Sequence, residues 1–364
     1  MDVQNVSVSL GCRSYTIEIG RLAQLGTLLA SLGQYRRILI VTDEHVDQYY
    51  GDSAAESLAE RLGEIEILTI TPGEPAKSLL TSEKLWERLA EMNVDRYSVI
   101  VALGGGVVGD LAGFIAATYL RGLPFVQVPT TLLAQVDSSV GGKVGINLRC
   151  GKNLVGAFWQ PKAVLIDPTT LKTLPDREFI SGLGEVVKYG MIMDAVFLEW
   201  LETNTQRILA REPEPLSELI ARCCRLKADV VERDEYERLG VRAILNYGHT
   251  FGHTLEAITE YQEYLHGEAV AIGMNFAARL AVRMRWLDES VAERQQSLLE
   301  RFGLPVRVAS LRRVCDFEKM IQLMRHDKKN ESEQIYFMLP QRPGLVERVA
   351  VSSELIRETL EEFA

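Results

Sequence analysis

The sequence predicts two domains, an α/β domain over residues 1–175 and a mainly α-helical domain over residues 176–364. Two observations support this division. Short apolar runs alternate with helical patterns in the first half, which is typical of a largely parallel sheet covered by helices. After about Asp176 the apolar residues recur with helical spacing instead. Residues 168–175, which begin and end with proline, mark the boundary between the two patterns.

The first domain is expected to begin with an antiparallel hairpin and to continue with buried strands. Residues 3–10 and 14–19 alternate apolar and polar side chains around Gly11, which predicts the hairpin. Four later apolar runs predict buried strands, with helices between them such as 81–92; these runs are 36–42, 65–70, 97–103 and 125–128.

The second domain is expected to consist of successive helices, with one strand pair near its end. The strand pair is expected near 334–350 and is followed by a last helix from Ser352. The helical periodicity covers 177–190, 194–210, 214–233, 247–260, 266–286 and 288–302.

A glycine-rich segment joins a predicted strand to a predicted helix. It reads Gly104-Gly-Gly-Val-Val-Gly-Asp110. Glycines at such a junction let backbone N–H groups approach a phosphate at the helix N-terminus, as in Rossmann-like nucleotide-binding domains. The spacing is not the usual GxGxxG, so a tight structural turn is the alternative interpretation.

Two further segments follow predicted strands at the same edge of the sheet. One is Pro72-Gly-Glu-Pro-Ala-Lys77. The other is Asp43, whose carboxylate could hold a ribose hydroxyl or could cap the helix that follows it. Ligands of open α/β sheets bind at the carboxyl ends of the strands, so these segments strengthen the prediction of a nucleotide site.

A zinc site is predicted at Glu185, His249 and His266. Three of the five histidines fall between residues 249 and 266. Two imidazoles and one carboxylate suit Zn²⁺ with a position left open for substrate. Such an ion would act as a Lewis acid on an oxygen-rich ligand.

Eight cationic residues lie within two positions of a glycine, asparagine or aspartate rather than in solvated charge runs. Taken singly, most lysines of this kind are surface residues. A general nucleic-acid-binding role is disfavoured by the net charge of −10, so a cluster of cations would indicate a small anionic substrate. The eight are Arg121, Lys143, Lys152, Lys188, Lys227, Arg242, Lys328 and Lys329. Residues 138–147 are predicted to form a small hairpin.

Six segments of the chain, taken together, resemble one family. The chain is similar to the 3-dehydroquinate synthase family of the sugar phosphate cyclases over about residues 40–330. The segments are Gly104 to Asp110, Pro129-Thr-Thr-Leu-Leu-Ala-Gln-Val-Asp-Ser-Ser-Val-Gly-Gly-Lys143, Gly151-Lys-Asn153, Gly184-Glu-Val-Val-Lys188, Leu245-Asn-Tyr-Gly-His-Thr-Phe-Gly-His253 and His266-Gly-Glu-Ala-Val270.

The resemblance implies a fold, an activity and an assembly. It implies an NAD-binding α/β domain, an α-helical metal-binding domain and a homodimer. The implied enzyme is a lyase of the shikimate pathway that converts 3-deoxy-D-arabino-heptulosonate 7-phosphate to 3-dehydroquinate and phosphate. The implied route is transient oxidation by NAD⁺, phosphate elimination, re-reduction, ring opening and an intramolecular aldol reaction, with Zn²⁺, or alternatively Co²⁺, as the metal.

The resemblance also implies roles for individual residues. Glu185, His249 and His266 are implied to bind zinc. The residues implied to bind NAD are Asp43, Gly73, Glu74, Lys77, Gly106, Val107, Val108, Gly109, Asp110, Thr130, Thr131, Lys152, Thr170, Leu171, Lys172 and Thr173. The residues implied to contact the substrate are Arg121, Asp137, Lys143, Asn153, Lys188, Lys227, Arg242, Asn246, His253 and Lys328. Of these, the residues implied to be catalytic are Lys143, Lys188, Lys227, Arg242, Asn246, His253 and Lys328.

Three details of the family pattern bear on the choice of family member, on the shape of the hairpin and on one predicted contact. Asn246, His253 and Lys328 match the dehydroquinate-forming members rather than the cyclases that make valiolone or deoxy-inosose rings. The segment before Gly151 reads Asn147-Leu-Arg-Cys where the family often has Asn-His-Pro, which affects the expected shape of the hairpin. The paired lysines leave open whether Lys328 or Lys329 makes the predicted contact.

His253 lies four residues after His249, so both lie on one side of a predicted helix. It could be a fourth metal ligand, as in the iron-dependent alcohol dehydrogenases. It could instead bind substrate and relay a proton, or it could simply pack within the helical domain.

Two rival functions are an NAD- and metal-dependent polyol dehydrogenase and an inactive cyclase relative that serves as a binding subunit. The first would not need so many cations, and the second would be expected to lack a metal ligand or Lys188 or Lys227. Five cysteines without a CxxC pair, no signal-peptide pattern and no apolar run long enough to span a membrane predict a cytoplasmic protein.

Overall fold

A computed structural model describes residues 4–59, 63–308, 317–325 and 334–363. The chain forms two compact units. The first unit comprises Met1–Leu174 and Pro213–Tyr236, and the second comprises Pro175–Glu212 and Glu237–Ala364. Residues 213–236 thus pack with the first unit, although they follow residue 175. The domain division predicted from the sequence stays a prediction.

The described strands are β1 (Gln4–Val8), β2 (Tyr15–Ile19), β3 (Arg37–Asp43), β4 (Glu64–Ile70), β5 (Ser98–Gly104), β6 (Phe125–Pro129), β7 (Lys143–Leu148), β8 (Gly151–Phe158), β9 (Ala163–Ile166), β10 (Ile335–Arg342) and β11 (Leu345–Val351). The longer described helices are α1 (Leu25–Leu32), α2 (Asp52–Ala59), α3 (Leu79–Glu91), α4 (Gly106–Thr118), α5 (Asp176–Ile192), α6 (Ala195–Leu209), α7 (Pro213–Arg233), α8 (His249–Ile258), α9 (His266–Arg283), α10 (Glu289–Arg301), α11 (Phe317–Arg325) and α12 (Ser353–Phe363).

The first unit is built on a seven-stranded sheet of order β1-β2-β9-β6-β5-β3-β4. Only the β1–β2 pair is antiparallel, and the other neighbours are parallel. The predicted hairpin and the four predicted strands are therefore confirmed, and β3, β5 and β6 are buried as expected. The prediction of a buried strand is wrong for β4, which lies at the edge of the sheet and exposes Glu64, Glu66 and Thr69. The strand β9 was not predicted, because its four apolar residues give too short a pattern; it lies between β2 and β6 and joins the hairpin to the parallel strands.

Side chains on the two faces of the sheet form two separate cores. On β3, Ile38 and Ile40 belong to the core that includes Leu25 and Leu29 of α1. The intervening side chains point to the opposite core, which includes residues of α3 and α4. This alternation is the pattern expected for a sheet with helices on both faces, and it confirms the predicted fold class of this unit.

The predicted hairpin over 138–147 is wrong in its bounds. Residues Ala134–Ser138 are helical, and the hairpin is formed by β7 pairing with β8. Its turn therefore lies at the Leu148–Gly151 end rather than at the two glycines Gly141 and Gly142, whose positive φ angles instead place a bend before β7.

The second unit is a helical assembly around α9. Residues Gly267 to Ala278 of this helix are all buried, and it packs against α5, α8, α10, α12 and β10. Phe251 of α8 stacks on Phe276 of α9 with ring centroids 4.2 Å apart. The six predicted helices and the strand pair are found to within a few residues, but one of the six, α7, packs with the first unit. Helix α11 was not predicted. No described helix has both the length and the apolar character needed to cross a membrane.

Candidate active site

The predicted nucleotide residues of the first unit follow the carboxyl ends of its parallel strands. Asp43 ends β3, the 73–77 loop follows β4, and the glycine segment follows β5. Thr130 and Thr131 follow β6, and residues 170–173 follow β9. Parallel strands place these ends at one edge of the sheet, where ligands of open α/β folds bind.

The N-terminus of α4 has the features of a phosphate-binding turn. Its N-cap is Gly105, which has no side chain to accept the first N–H groups, and its first turn carries no acidic residue. A Cβ on Gly105 would lie 2.9 Å from the Thr131 side chain, so the strand-to-helix turn approaches the next loop too closely for a larger residue. Exposed N–H groups and the helix dipole favour an anion at such a turn.

Asp43 acts as a helix cap in this structure. Its Oδ1 accepts hydrogen bonds from the N–H groups of His45 and Val46, at 2.9 and 3.1 Å. Both contacts use the same oxygen. The capping interpretation is therefore observed, and the ribose contact stays a prediction.

Lys77 and Asp110 form a partly buried ion pair between the 73–77 loop and α4. The Nζ atom lies 2.7 Å from Oδ2 of Asp110 and 3.9 Å from Oε1 of Glu74. Burial raises the pKa of Asp110, and the Lys77 ammonium offsets part of that increase. The pair fixes the loop after β4 to the helix that follows β5.

The other residues predicted to bind the nucleotide are in part core residues and in part residues that hold a loop in place. Val108 and Leu171 have core side chains, so only their backbones are available to a ligand. The Thr170 hydroxyl donates to the Asp167 carbonyl at 2.8 Å, and the Thr173 hydroxyl lies 2.7 Å from that of Tyr50. These hydroxyls hold the loop after β9.

The hairpin β7–β8 carries three predicted substrate or nucleotide residues. Lys143 is exposed at the start of β7, and Lys152 and Asn153 follow the turn. Asn153 has a φ of 55°, and its backbone N–H donates to Oδ1 of Asn147 at 2.9 Å. The amide of Asn147 also donates to Oε1 of Glu74 at 2.6 Å, so it ties the hairpin to the 73–77 loop.

Lys227 and Asp137 are brought together although 90 residues separate them. The Lys227 Nζ donates to the backbone carbonyl of Asp137 at 2.7 Å and lies 2.9 Å from its Oδ1. Lys227 is buried on α7. Arg121, by contrast, is exposed, with a φ of 67°, at the end of the short helical turn after α4.

In the second unit, Glu185, His249 and His266 come together as predicted. One ligand atom of each lies within 4.8 Å of the others. The Nε2 atoms of both histidines lie 3.4 Å from Oε1 of Glu185, whose side chain is fully buried. The Lys188 ammonium, one helical turn after Glu185, contacts its Oε2.

Glycines next to the three residues allow this convergence. A Cβ on Gly267 would lie 1.8 Å from the Ser181 carbonyl oxygen, and one on Gly184 would lie 2.5 Å from the Gly267 carbonyl oxygen. Helices α5 and α9 therefore cross at backbone contact, beside Glu185 and His266. Gly248, with a φ of 81°, starts α8 immediately before His249.

The electrostatics of the cluster are dominated by burial and by mutual charge. Burial opposes ionisation of Glu185, but Lys188 and His266 outweigh it and lower the pKa to about 2. Burial lowers the pKa of His249 well below its usual value, and Lys188 adds to this. For His266, Glu185 and Glu256 overcome burial and raise the pKa to about 10, so a metal must displace a proton there.

The donor set fits a zinc ion. Tetrahedral zinc with bonds of about 2.0–2.1 Å separates its ligand atoms by roughly 3.3 Å. The separations of 3.4 Å between Glu185 Oε1 and each histidine Nε2 are close to this value. Among the described residues, Oε1 of Glu185, the oxygen that faces both histidines, has no hydrogen-bond partner of good geometry, as expected of a metal-ligating atom. The other oxygen, Oε2, is paired with Lys188.

His253 belongs to a neighbouring cluster. Its ring centroid lies 5.3 Å from that of His249 and 6.1 Å from that of His266. Its potential ligand atom groups with Glu256 and His266 rather than with Glu185. The side chain is exposed, which rules out the interpretation as a packed core histidine.

Of the remaining residues predicted to contact the substrate, Arg242 and Asn246 lie within the described part of the chain and the two lysines do not. Arg242 is buried in the short helix before α8, and Asn246 ends that helix, with its amide donating to the Ala243 carbonyl at 3.1 Å. Lys328 and Lys329 lie outside the described residues.

The sequence analysis did not identify two residues that the structure places at these sites. Glu256 lies 3.5 Å from His266 Nδ1, and Asn147 bridges Glu74 and Asn153. Glu256 is seven residues after His249, a spacing that puts both on one helix face and could have indicated it. Asn147 had no such signal, because its partners lie in a different loop.

Models of known families match most of the chain. The 3-dehydroquinate synthase N-terminal model matches residues 67–181, and the 3-dehydroquinate synthase C-terminal model matches residues 182–330. A 3-dehydroquinate synthase of Pelotomaculum thermopropionicum is 49% identical over 363 residues, which is 99% of this chain and 96% of the relative.

Solved structures of two related enzymes share the fold. A 2-deoxy-scyllo-inosose synthase complexed with carbaglucose-6-phosphate, NAD⁺ and Co²⁺ has a TM-score of 0.88 and 28% identity, covering 99% of this chain and 100% of that one. A 2-epi-5-epi-valiolone synthase from Streptomyces hygroscopicus subsp. jinggangensis 5008, with NAD⁺ and Zn²⁺ bound, has the same score and identity, covering 96% of each chain. With the two family models and a near full-length relative at 49% identity, these matches show that the chain belongs to the 3-dehydroquinate synthase family.

Proposed function

We propose that this chain is a 3-dehydroquinate synthase that uses NAD and a divalent metal. The proposed substrate is 3-deoxy-D-arabino-heptulosonate 7-phosphate, and the products are 3-dehydroquinate and phosphate. The observation that carries the proposal is the buried carboxylate–imidazole cluster beside Lys188, in a chain 49% identical to a 3-dehydroquinate synthase. Homodimerisation, which the family resemblance implies, and a cytoplasmic location, which the cysteines and the lack of a signal-peptide pattern indicate, stay predictions.

The first unit is proposed to hold the nucleotide. The uncapped N-terminus of α4 offers N–H groups to the pyrophosphate, and the Lys77–Asp110 pair fixes the adjacent loop. Asp43 ends β3 next to β5 in the sheet, and its second carboxylate oxygen is proposed to accept a ribose hydroxyl. Lys152 is proposed to add a positive charge near the phosphates.

The second unit is proposed to hold the metal through Glu185, His249 and His266. When bound, NAD supplies reversible hydride transfer, and the metal supplies Lewis-acid stabilisation of negative charge on substrate oxygens. Lys188 then has two tasks. Its ammonium balances the charge of Glu185, and it can donate a hydrogen bond to a substrate oxygen beside the metal.

Other cations are proposed to bind the phosphate and carboxylate of the substrate. Arg121, Lys143 and Arg242 provide charge-assisted donors, and Lys227 is held in place by Asp137. Asn153, Asn246 and Lys328 are proposed to complete the substrate contacts. His253 is proposed to bind substrate and move a proton, because it is exposed and lies outside the three-ligand group.

The test is a product assay with the full chain, the heptulosonate phosphate, catalytic NAD⁺ and Zn²⁺. We expect release of one phosphate per dehydroquinate formed, with no net NADH. Stoichiometric NADH accumulation would support a polyol dehydrogenase instead. Phosphate release with a carbocycle other than dehydroquinate would identify another sugar phosphate cyclase.

A further inference from the structure

Glu256 is a buried carboxylate that no step of the proposed reaction uses. It lies on α8, on the helix face that also carries His249 and His253, and is 6% exposed. Its Oε1 is 3.5 Å from Nδ1 of His266 on α9. Burying a carboxylate is costly unless it is paired, so its position beside an imidazole needs a reason.

The two histidines of the cluster have the same arrangement of ring nitrogens. Each directs Nε2 toward Glu185 Oε1, at 3.4 Å. Each directs Nδ1 toward an oxygen, which is the Tyr247 carbonyl for His249, at 3.1 Å, and Glu256 for His266. An oxygen at Nδ1 keeps the proton on that nitrogen and leaves the Nε2 lone pair available for a metal.

We propose that Glu256 is a positioning residue for the metal: its carboxylate holds the Nδ1 proton and the ring orientation of His266, so that Nε2 is the ligating atom. This inference rests on the proposed function, because it needs a metal at the Glu185 cluster. The backbone carbonyl does the same for His249, but only the Glu256 contact adds a negative charge and can be removed by substitution.

The alternative is that Glu256 is itself a ligand of a second ion, with His253 and His266, since their ligand atoms also lie within 4.8 Å of one another. That ion would have to displace the proton from Nδ1 of His266 while Nε2 serves the first ion. The contact of Nδ1 with a single buried carboxylate oxygen favours the positioning role.

The experiment compares zinc binding by the metal-free full chain and its variants, using competition with a chelating indicator. Glu256→Gln preserves volume but removes the charge, and Glu256→Leu also removes the acceptor. We expect one zinc per wild-type chain, about tenfold weaker binding for the first variant and about a hundredfold for the second. The matched control is Glu202→Gln, which breaks a different ion pair of the same unit, between Oε1 of Glu202 and Nε of Arg294 at 2.6 Å. The zinc affinity of this control should equal that of the wild type.

Two spectroscopic measurements separate positioning from a general loss of structure. In the zinc-loaded wild type, imidazole ¹⁵N NMR should show His266 protonated at Nδ1. In Glu256→Gln, the visible spectrum of the Co²⁺ form should change while the unfolding midpoint of the metal-free protein stays near that of the Glu202→Gln control.

The outcomes distinguish this inference from the proposed function. A wild-type chain that binds no zinc would overturn the metal assignment itself. Normal zinc affinity in both Glu256 variants would overturn the positioning role while leaving the metal site intact. A second zinc that disappears with Glu256 would also overturn it, in favour of the second-ion alternative.

Discussion

Asn147 and Asn153 are joined by a hydrogen bond of 2.9 Å from the backbone N–H of Asn153 to the side-chain Oδ1 of Asn147. The same side chain donates to Glu74 at 2.6 Å, and its backbone N–H donates to the Lys77 carbonyl at 2.8 Å. One residue therefore connects the loop proposed to bind the nucleotide with the turn proposed to bind the substrate. It also supports the left-handed conformation of Asn153, with a φ of 55°.

The first prediction concerns this connection. Asn147→Ala removes two side-chain hydrogen bonds and should lower the free energy of unfolding by about 1–2 kcal/mol. Asn147→Asp keeps the acceptor for Asn153 but places a carboxylate against Glu74. Adding Glu74→Gln to Asn147→Asp should therefore recover part of the lost stability. Denaturant unfolding of the single and double variants measures the coupling, and a coupling energy near zero would contradict the proposed bridge.

The second prediction concerns pH and the Lys77–Asp110 pair. Lys77→Met leaves Asp110 without its cation and should destabilise the protein by about 3 kcal/mol near neutral pH. Burial raises the pKa of Asp110 in the folded state, and loss of Lys77 raises it further. A group with a raised folded-state pKa takes up its proton on folding, so the variant should regain stability as pH falls.

The measurement is the difference in unfolding free energy between wild type and Lys77→Met from about pH 8 to pH 5. This difference in unfolding free energy should become smaller as the pH falls from about 8 toward 5. The control compares Asp110→Asn alone with Lys77→Met plus Asp110→Asn. The carboxylate is absent from both proteins, so the difference in their unfolding free energies should lose most of its pH dependence. A gap of constant size for the single variant would show that Asp110 does not depend on Lys77.

The third prediction concerns metal removal. Exhaustive chelation should abolish dehydroquinate formation, and Zn²⁺ or Co²⁺ should restore it. The physical reason is that Glu185 and the two histidines offer a preformed donor set with separations suited to these ions. Full activity in protein shown by elemental analysis to be free of metal would refute this site. Glu185→Gln, which keeps the shape but weakens the donor, should need more metal for the same rate.

Sequence patterns predicted that Glu185, His249 and His266 come together, because the signals of this cluster are local and chemical. Histidines are few in this chain, and two of the ligands lie within a short segment, at 249 and 266. The sequence also predicted the strand ends that carry the loops proposed to bind the nucleotide, since strands of the sheet have a distinct apolar pattern. Glu256 and Asn147 were missed because their importance depends on which side chain of another segment faces them. The packing of α7 with the first unit was not foreseen for a similar reason: an amphipathic helix shows which face is buried but not what covers it.

The last prediction concerns the crossing of α5 and α9. Gly267→Ala would place a methyl group 1.8 Å from the Ser181 carbonyl oxygen, and this backbone atom has no rotamer with which to avoid it. The helices must separate, which moves His266 relative to Glu185. We expect a loss of about 1–3 kcal/mol in unfolding free energy, together with zinc binding weakened by about tenfold or more. Ser181→Ala is the matched control, since it removes only the hydroxyl that accepts from the Gly267 N–H, at 3.1 Å. That variant should lose about 1 kcal/mol of stability and retain its zinc affinity. Wild-type zinc affinity in Gly267→Ala would show that the metal site tolerates movement between these helices, and that close helix contact is not what sets its geometry.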